Sequence, residues 1–149
     1  MDIRSLHFDH LITFQVRDKK ENWLEGIKIL EDFPLNHEVY QNGPVFFSYE
    51  EEKDNEGLFT YYLPINDAVE FEEGITDFEY IHQFSIEKAL LMRQAQEEED
   101  FSTAIQKIKS YAATENISVD NSFICVLLDV YGEYLIDLYV PLKEWSEVK

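Results

Sequence analysis

The chain has 149 residues, about the length of one domain, and is 45% hydrophobic and 15% aromatic, which describes a folded globular protein. Twelve Lys and Arg stand against 31 Asp and Glu, a formal net charge of −19 that works against gripping nucleic acid or anionic lipid. A basic protein or a cationic small molecule is the partner such a charge attracts. One cysteine, Cys125, excludes an intramolecular disulfide, and no Cys/His spacing suggests zinc. The start of the chain has neither the basic region nor the apolar core of a secretory signal, and no apolar run is long enough for a bilayer. The expected location is the cytoplasm.

Leu11 to Val16 alternates, with Ile12, Phe14 and Val16 on one face and Leu11, Thr13 and Gln15 on the other, and so predicts a strand. Trp23, Ile27 and Leu30 then recur at helical spacing, and Pro34 stops the helix. After the turn Asn42-Gly43-Pro44, Val45 to Glu50 alternates as a second strand. Glu51 to Gly57 is a polar loop, and Phe59 to Ile65 is a third strand ending around Pro64. Ala89 to Ala95 is a short apolar stretch. Phe101, Ala104, Ile105, Ile108 and Ala112 form a second helical stripe. Phe123 to Val130 is the most apolar run, and Ile136, Leu138 and Val140 alternate with Leu135, Asp137 and Tyr139 before Pro141.

Two copies of a strand–helix–strand–strand unit account for this order, at about residues 10–66 and 86–143 of a single domain covering 1–149. Aligning Pro64 with Pro141 pairs Tyr62 with Tyr139 and Thr60 with Asp137. One segment resists. Ser85 to Glu99 is rich in strong helix formers, and local propensity favours a single helix from Ile86 through Ala113. The repeat instead requires a strand over Ala89 to Ala95 and a helix from near Asp100, whose N-terminus would suit the acids Glu97, Glu98, Glu99 and Asp100.

The twofold order closing on Asp137-Leu138-Tyr139-Val140-Pro141-Leu142 resembles the GyrI-like effector-binding domains, the drug-sensing modules of bacterial transcription activators and stand-alone gyrase inhibitors. The resemblance spans about His10 to Lys143. It implies an α+β fold in which duplicated βαββ units form one curved antiparallel sheet, with helices on one face and an aromatic pocket on the other. It also implies an acid near the pocket that meets cationic ligands. The wording from Tyr131 to Pro141 further resembles a Firmicute subgroup found beside type VII secretion and LXG toxin genes, which implies a toxin chaperone or targeting adaptor. Two departures stand against a drug-sensing transcriptional role. Gln96 to Asp100 replaces the usual glycine turn, and no room precedes the first strand for a helix-turn-helix.

Alternation places Asp137 and Tyr139 opposite Ile136, Leu138 and Val140, and the repeat gives Thr60 and Tyr62 the equivalent face. The apolar faces are expected to take the helices. That leaves Leu11, Gln15, Thr60, Tyr62, Asp137 and Tyr139 on an open face, where a carboxylate among rings suits a cation. The competing reading makes Asp137 a solvated or tyrosine-bonded residue of a wet sheet face. His7, His10, His37 and His82 are scattered, and no metal site or cofactor is expected. Cys125 reads as a buried inert thiol. Glu97, Glu98, Glu99 and Asp100 read as a solubilising surface or as the dock for a basic partner. No nucleophile, base or metal cluster converges, so the chain is expected not to be an enzyme. The expectation is a non-catalytic binding protein, either a cytosolic adaptor for a secreted toxin or a binder of cationic amphiphiles.

Overall fold

The computed structural model describes residues 2–32, 39–71, 77–94, 101–120, 122–130 and 133–143. Among them the order is β1 (Asp2–Lys19), α1 (Trp23–Glu31), β2 (Phe46–Lys53), β3 (Glu56–Pro64), β4 (Glu79–Gln94), α2 (Phe101–Thr114), β5 (Phe123–Val130) and β6 (Glu133–Pro141). The expected α+β class and the repeated strand–helix–strand–strand order are both present. The chain divides into two compact units, His7–Ser85 and Met1–Leu6 with Ile86–Lys149, here the first and second unit.

In the first unit β3 is flanked by β1 and β2, all antiparallel, with Leu11↔Pro64, Gln15↔Thr60 and Phe46↔Tyr62 in register. In the second, β6 is flanked by β4 and β5, with Ala89↔Pro141, Arg93↔Asp137 and Ile124↔Tyr139 in register. The backbone repeats in detail. Ile65 N–H donates to His10 C=O at 2.8 Å as Leu142 N–H donates to Lys88 C=O at 3.0 Å. Asn42 N–H bonds Pro64 C=O as Asp120 N–H bonds Pro141 C=O, both at 2.9 Å. Isolated bridges follow suit, Gln41↔Ile65 and Val119↔Leu142. Each strand-ending proline, having no N–H of its own, serves here through its carbonyl.

The strand that the repeat requires is found in place of the single helix that local propensity favours: Glu79–Gln94 is strand, and α2 starts at Phe101. Lys, Leu, Met, Arg and Gln favour helix in isolation, but the ladder to β6 and burial of Ala89 and Leu90 override that preference. Both β1 and β4 begin well before the expected Leu11 and Ala89, and each contributes residues to both units. α2 ends in a left-handed Asn116 at φ 58°, with Ile117 N–H bonding Ala112 C=O at 2.8 Å, a Schellman closure.

Each helix covers the apolar side of the strands of its own unit. In the first unit Trp23 of α1 stacks on Phe47 at 5.9 Å, and the Tyr61 hydroxyl donates to Trp23 C=O at 2.8 Å. Gly26 is where the helix passes over the Tyr61 ring; a Cβ there would overlap it. In the second unit α2 lies over β6 and buries Ala104, Ile108 and Ala112, three residues of the expected stripe. Among the described residues no helix is long and apolar enough to cross a membrane.

Candidate functional site

Because α1 takes the side of Phe14, Phe47 and Tyr61, strand alternation turns Thr13, Gln15, Thr60 and Tyr62 the other way. These four, with Phe14 and with Asp77, Glu79 and Ile81 at alternate positions entering β4, line a cavity of about 370 Å³. The volume is at the small end of ligand pockets.

Tyr62 anchors an aromatic wall. Its ring stacks on Phe46 at 4.7 Å and 13°, and Phe84 tilts against it at 4.9 Å. Phe8 stacks on the same Phe46 at 4.7 Å, so Tyr62 is held between strands by ring contacts. Burial pushes the Tyr62 phenol above its ordinary pKa, and a side-chain hydrogen bond with Ser48 offsets part of that. Gln15 Nε2 donates to Thr60 Oγ1 at 3.1 Å, fixing both side chains across the ladder. Thr13 is buried at 8% exposure, and its Oγ1 has no hydrogen-bond partner among the described residues. Asp77 and Glu79 are exposed at the rim.

Thr60 and Tyr62, expected on an open face, do line this cavity. Asp137 and Tyr139 hold the corresponding register positions in the second unit. There Arg93 meets the Asp137 carboxylate with two hydrogen bonds, Nε at 2.7 Å and the second guanidinium nitrogen at 3.0 Å. A cation at Asp137 therefore shares or displaces a guanidinium that already neutralises it. Tyr139 lies beside this pair, its phenol raised first by burial and then by the Asp137 charge. Cys125 is fully buried, and desolvation, with Asp137 second, pushes its thiol well up, which keeps it protonated and unreactive. Glu97, Glu98, Glu99 and Asp100 as a docking patch lie outside the described residues.

Sequence reasoning left Asp77, Glu79 and Ile81 unassigned. The signal was the alternation Tyr80, His82, Phe84, Ile86 against Ile81, Gln83, Ser85, Glu87, a period of two with polar residues on both faces. Among the described residues no group of three or more His, Cys, Asp or Glu is placed to hold a metal.

No protein-family model matches the chain, and no curated protein matches it. Solved structures share its fold. The EcmrR C-terminal domain superposes with a TM-score of 0.68 at 13% identity, covering 95% of this chain and 97% of that one. SAV2435 bound to tetraphenylphosphonium superposes at 0.58 and 10% identity, covering 99% and 97%. A hydrolase from Listeria innocua superposes at 0.53 and 8% identity, covering 95% and 91%. The first two are GyrI-like effector-binding domains, so the fold expected from the two strand ends is the fold found.

Proposed function

We propose that the chain is a non-catalytic binding protein whose first unit takes a cationic small molecule in the cavity beside Tyr62. One observation carries the reading. Two exposed carboxylates, Asp77 and Glu79, rim a cavity with an aromatic wall and hydroxyl and amide groups inside. Ring faces and carboxylates attract the same charge, and the −19 of the whole chain concentrates cations around it. SAV2435, bound to tetraphenylphosphonium on a shared fold, supports a cationic ligand as the first class to test.

The test is a thermal-shift screen of organic cations against the protein and Asp77→Asn/Glu79→Gln. A ligand at ~100 times its dissociation constant stabilises the fold by about 2.7 kcal/mol, an easily read rise in Tm. The double variant is expected to lose most of that rise. If no cation raises Tm, or the double variant responds equally, the reading fails. Ester and amide panels are expected to remain intact. Hydrolysis abolished by Asp137→Ala or Tyr139→Phe would make the protein an enzyme.

Net charge favours a second reading, a cytoplasmic adaptor for a basic protein such as a secreted LXG toxin. Association would then be steered over a Debye length of about 8 Å at physiological salt and slow as salt rises, with dissociation less affected. Reversal of Glu97, Glu98 and Glu99 to Lys should slow it likewise. An association rate indifferent to both leaves the acidic surface as a solubility device.

A further inference from the structure

The histidines, scattered in the sequence, do not all stay apart. His10 of β1 and His82 of β4 come together with ring centres 5.6 Å apart and ring planes at 79°. His82 is exposed and His10 half-buried, so an ion in solvent has access to the pair. Two imidazoles on one tetrahedral ion, at about 2.0–2.1 Å per nitrogen, have their ring centres about 5 Å apart. The two rings thus stand close to the spacing that a shared ion requires, and a small turn of the exposed ring closes the difference.

His10 is held more firmly than a surface histidine needs to be. Its Nδ1 and the Tyr80 hydroxyl share a hydrogen bond of 2.5 Å, and the two rings lie 6.0 Å apart at 25°. With Nδ1–H as the donor, Nε2 carries the lone pair, which is the tautomer a metal ion selects. A hydrogen bond on the far ring nitrogen is the usual outer support of a metal-bound histidine, orienting the ring and raising its basicity.

The backbone gives a separate sign. His10 has a φ of 58°, in the left-handed region that residues other than glycine seldom adopt. The repeat does not demand it. Lys88 C=O accepts from Leu142 N–H as His10 C=O accepts from Ile65 N–H, yet Lys88 is not left-handed. Departures of this kind gather at functional positions.

We propose that His10 and His82 form a two-imidazole site for a divalent first-row transition ion, with Tyr80 orienting His10. Imidazole suits zinc, nickel and copper, and the −19 of the chain concentrates dications around it. Among the described residues no group of three or more His, Cys, Asp or Glu is placed to hold a metal, so water fills the remaining positions and the ion stays exchangeable. The site is distinct from the cavity, which Glu79 and Ile81 line, because Tyr80 and His82 are the alternate positions of the same strand. It stands or falls independently of the cation-binding reading.

Calorimetric titration of Ni²⁺ into the untagged chain tests it. One ion per chain should bind, and Ca²⁺ and Mg²⁺, which prefer oxygen ligands, should not compete. Tyr80→Phe keeps both imidazoles but removes the outer support and should weaken Ni²⁺ by about tenfold or more. His82→Ala, at an exposed position, should cost at least as much, as should His10→Asn, a side chain that tolerates a positive φ. His7→Ala, which removes another exposed histidine, should change nothing. With Cu²⁺ as the probe, electron paramagnetic resonance should show coupling to two imidazole nitrogens in the parent chain and to one in His82→Ala. Failure of both Ni²⁺ and Cu²⁺ to bind, an affinity indifferent to His82→Ala, or an equal loss in His7→Ala overturns the proposal. Should His10→Asn not fold, His82→Ala decides alone.

Discussion

The two units solve one backbone problem with different side chains. At the positions that meet α1, the first unit places Phe47, Phe59 and Tyr61; the corresponding positions of the second are Cys125, Ile136 and Leu138. The Tyr61 ring below the first helix leaves no room for a Cβ at Gly26, whereas the second unit has the smaller Leu138 at that strand position and a buried Ala104 in its helix. On the opposite faces the contrast changes kind. Gln15 and Thr60 make a neutral hydrogen bond, and the same register position in the second unit holds the ion pair of Arg93 and Asp137. A closed ion pair has its partner. The neutral pair of the first unit lines the cavity that the Asp77 and Glu79 carboxylates rim, and that unit is the one proposed to bind.

Gly26→Ala strikes this contrast hardest. The added methyl overlaps the buried Tyr61 ring, and overpacking of that kind should cost about 3 kcal/mol in urea unfolding. Adding Tyr61→Leu, which imports the second unit's solution, should recover most of the loss. A double variant no better than the single one would show that the two packings are not interchangeable.

Alkali should probe the first unit next. Burial pushes the Tyr49 phenol from 10.0 up to about 12 and pushes Tyr61 up further. Raised folded values mean that this stabilisation is complete below the unfolded value near pH 10. It is lost as pH climbs through the folded values. Tyrosinate absorbance followed beside circular dichroism should show these phenols ionising with unfolding. Their ionisation in a still-folded protein near pH 10 would break the argument.

The opposed pairs come third. Arg93→Met leaves the buried Asp137 carboxylate without its guanidinium and should lower the urea midpoint, and Arg93→Met/Asp137→Leu should restore it. Gln15→Met removes only a neutral, exposed hydrogen bond and should change stability by about 0.5 kcal/mol or less. Equal losses from the two single changes would erase the distinction. The mildest effect expected is ionic: raising salt well above physiological strength should weaken cation binding a few-fold, because Asp77 and Glu79 are exposed and screened. Affinity independent of salt would move the cation away from that rim.

Much of this was legible wherever one face of an element was apolar. Phe123–Val130 and the α2 stripe stand where periodicity put them, because burial on one side leaves a clean pattern. The strand character of Ala89 to Gln94 was readable only through the repeat, since its composition favours helix and only long-range pairing with β6 decides otherwise. The early halves of β1 and β4 went unread because polar residues occupy both faces there, as at His82 and Gln83. Thr60 and Tyr62 were found by alternation and duplication. The Asp77 and Glu79 rim was not, because it enters on the unread half of β4. Nor does any sequence pattern announce that Arg93 sits across from Asp137; that follows from register alone.

The sharing of β1 and β4 between units also sets an order of events as the chain is made. Asp2–Leu6 belong to a unit whose other residues begin at Ile86, so they leave the ribosome long before the rest of that unit exists. At 5–20 residues per second that wait is on the order of ten seconds. Meanwhile His7–Ser85 completes itself once Glu79–Ser85 has emerged. Contacts of such separation in sequence are also the slow ones to close. Asp2–Leu6 is thus made before the residues from Ile86 onward that complete its unit.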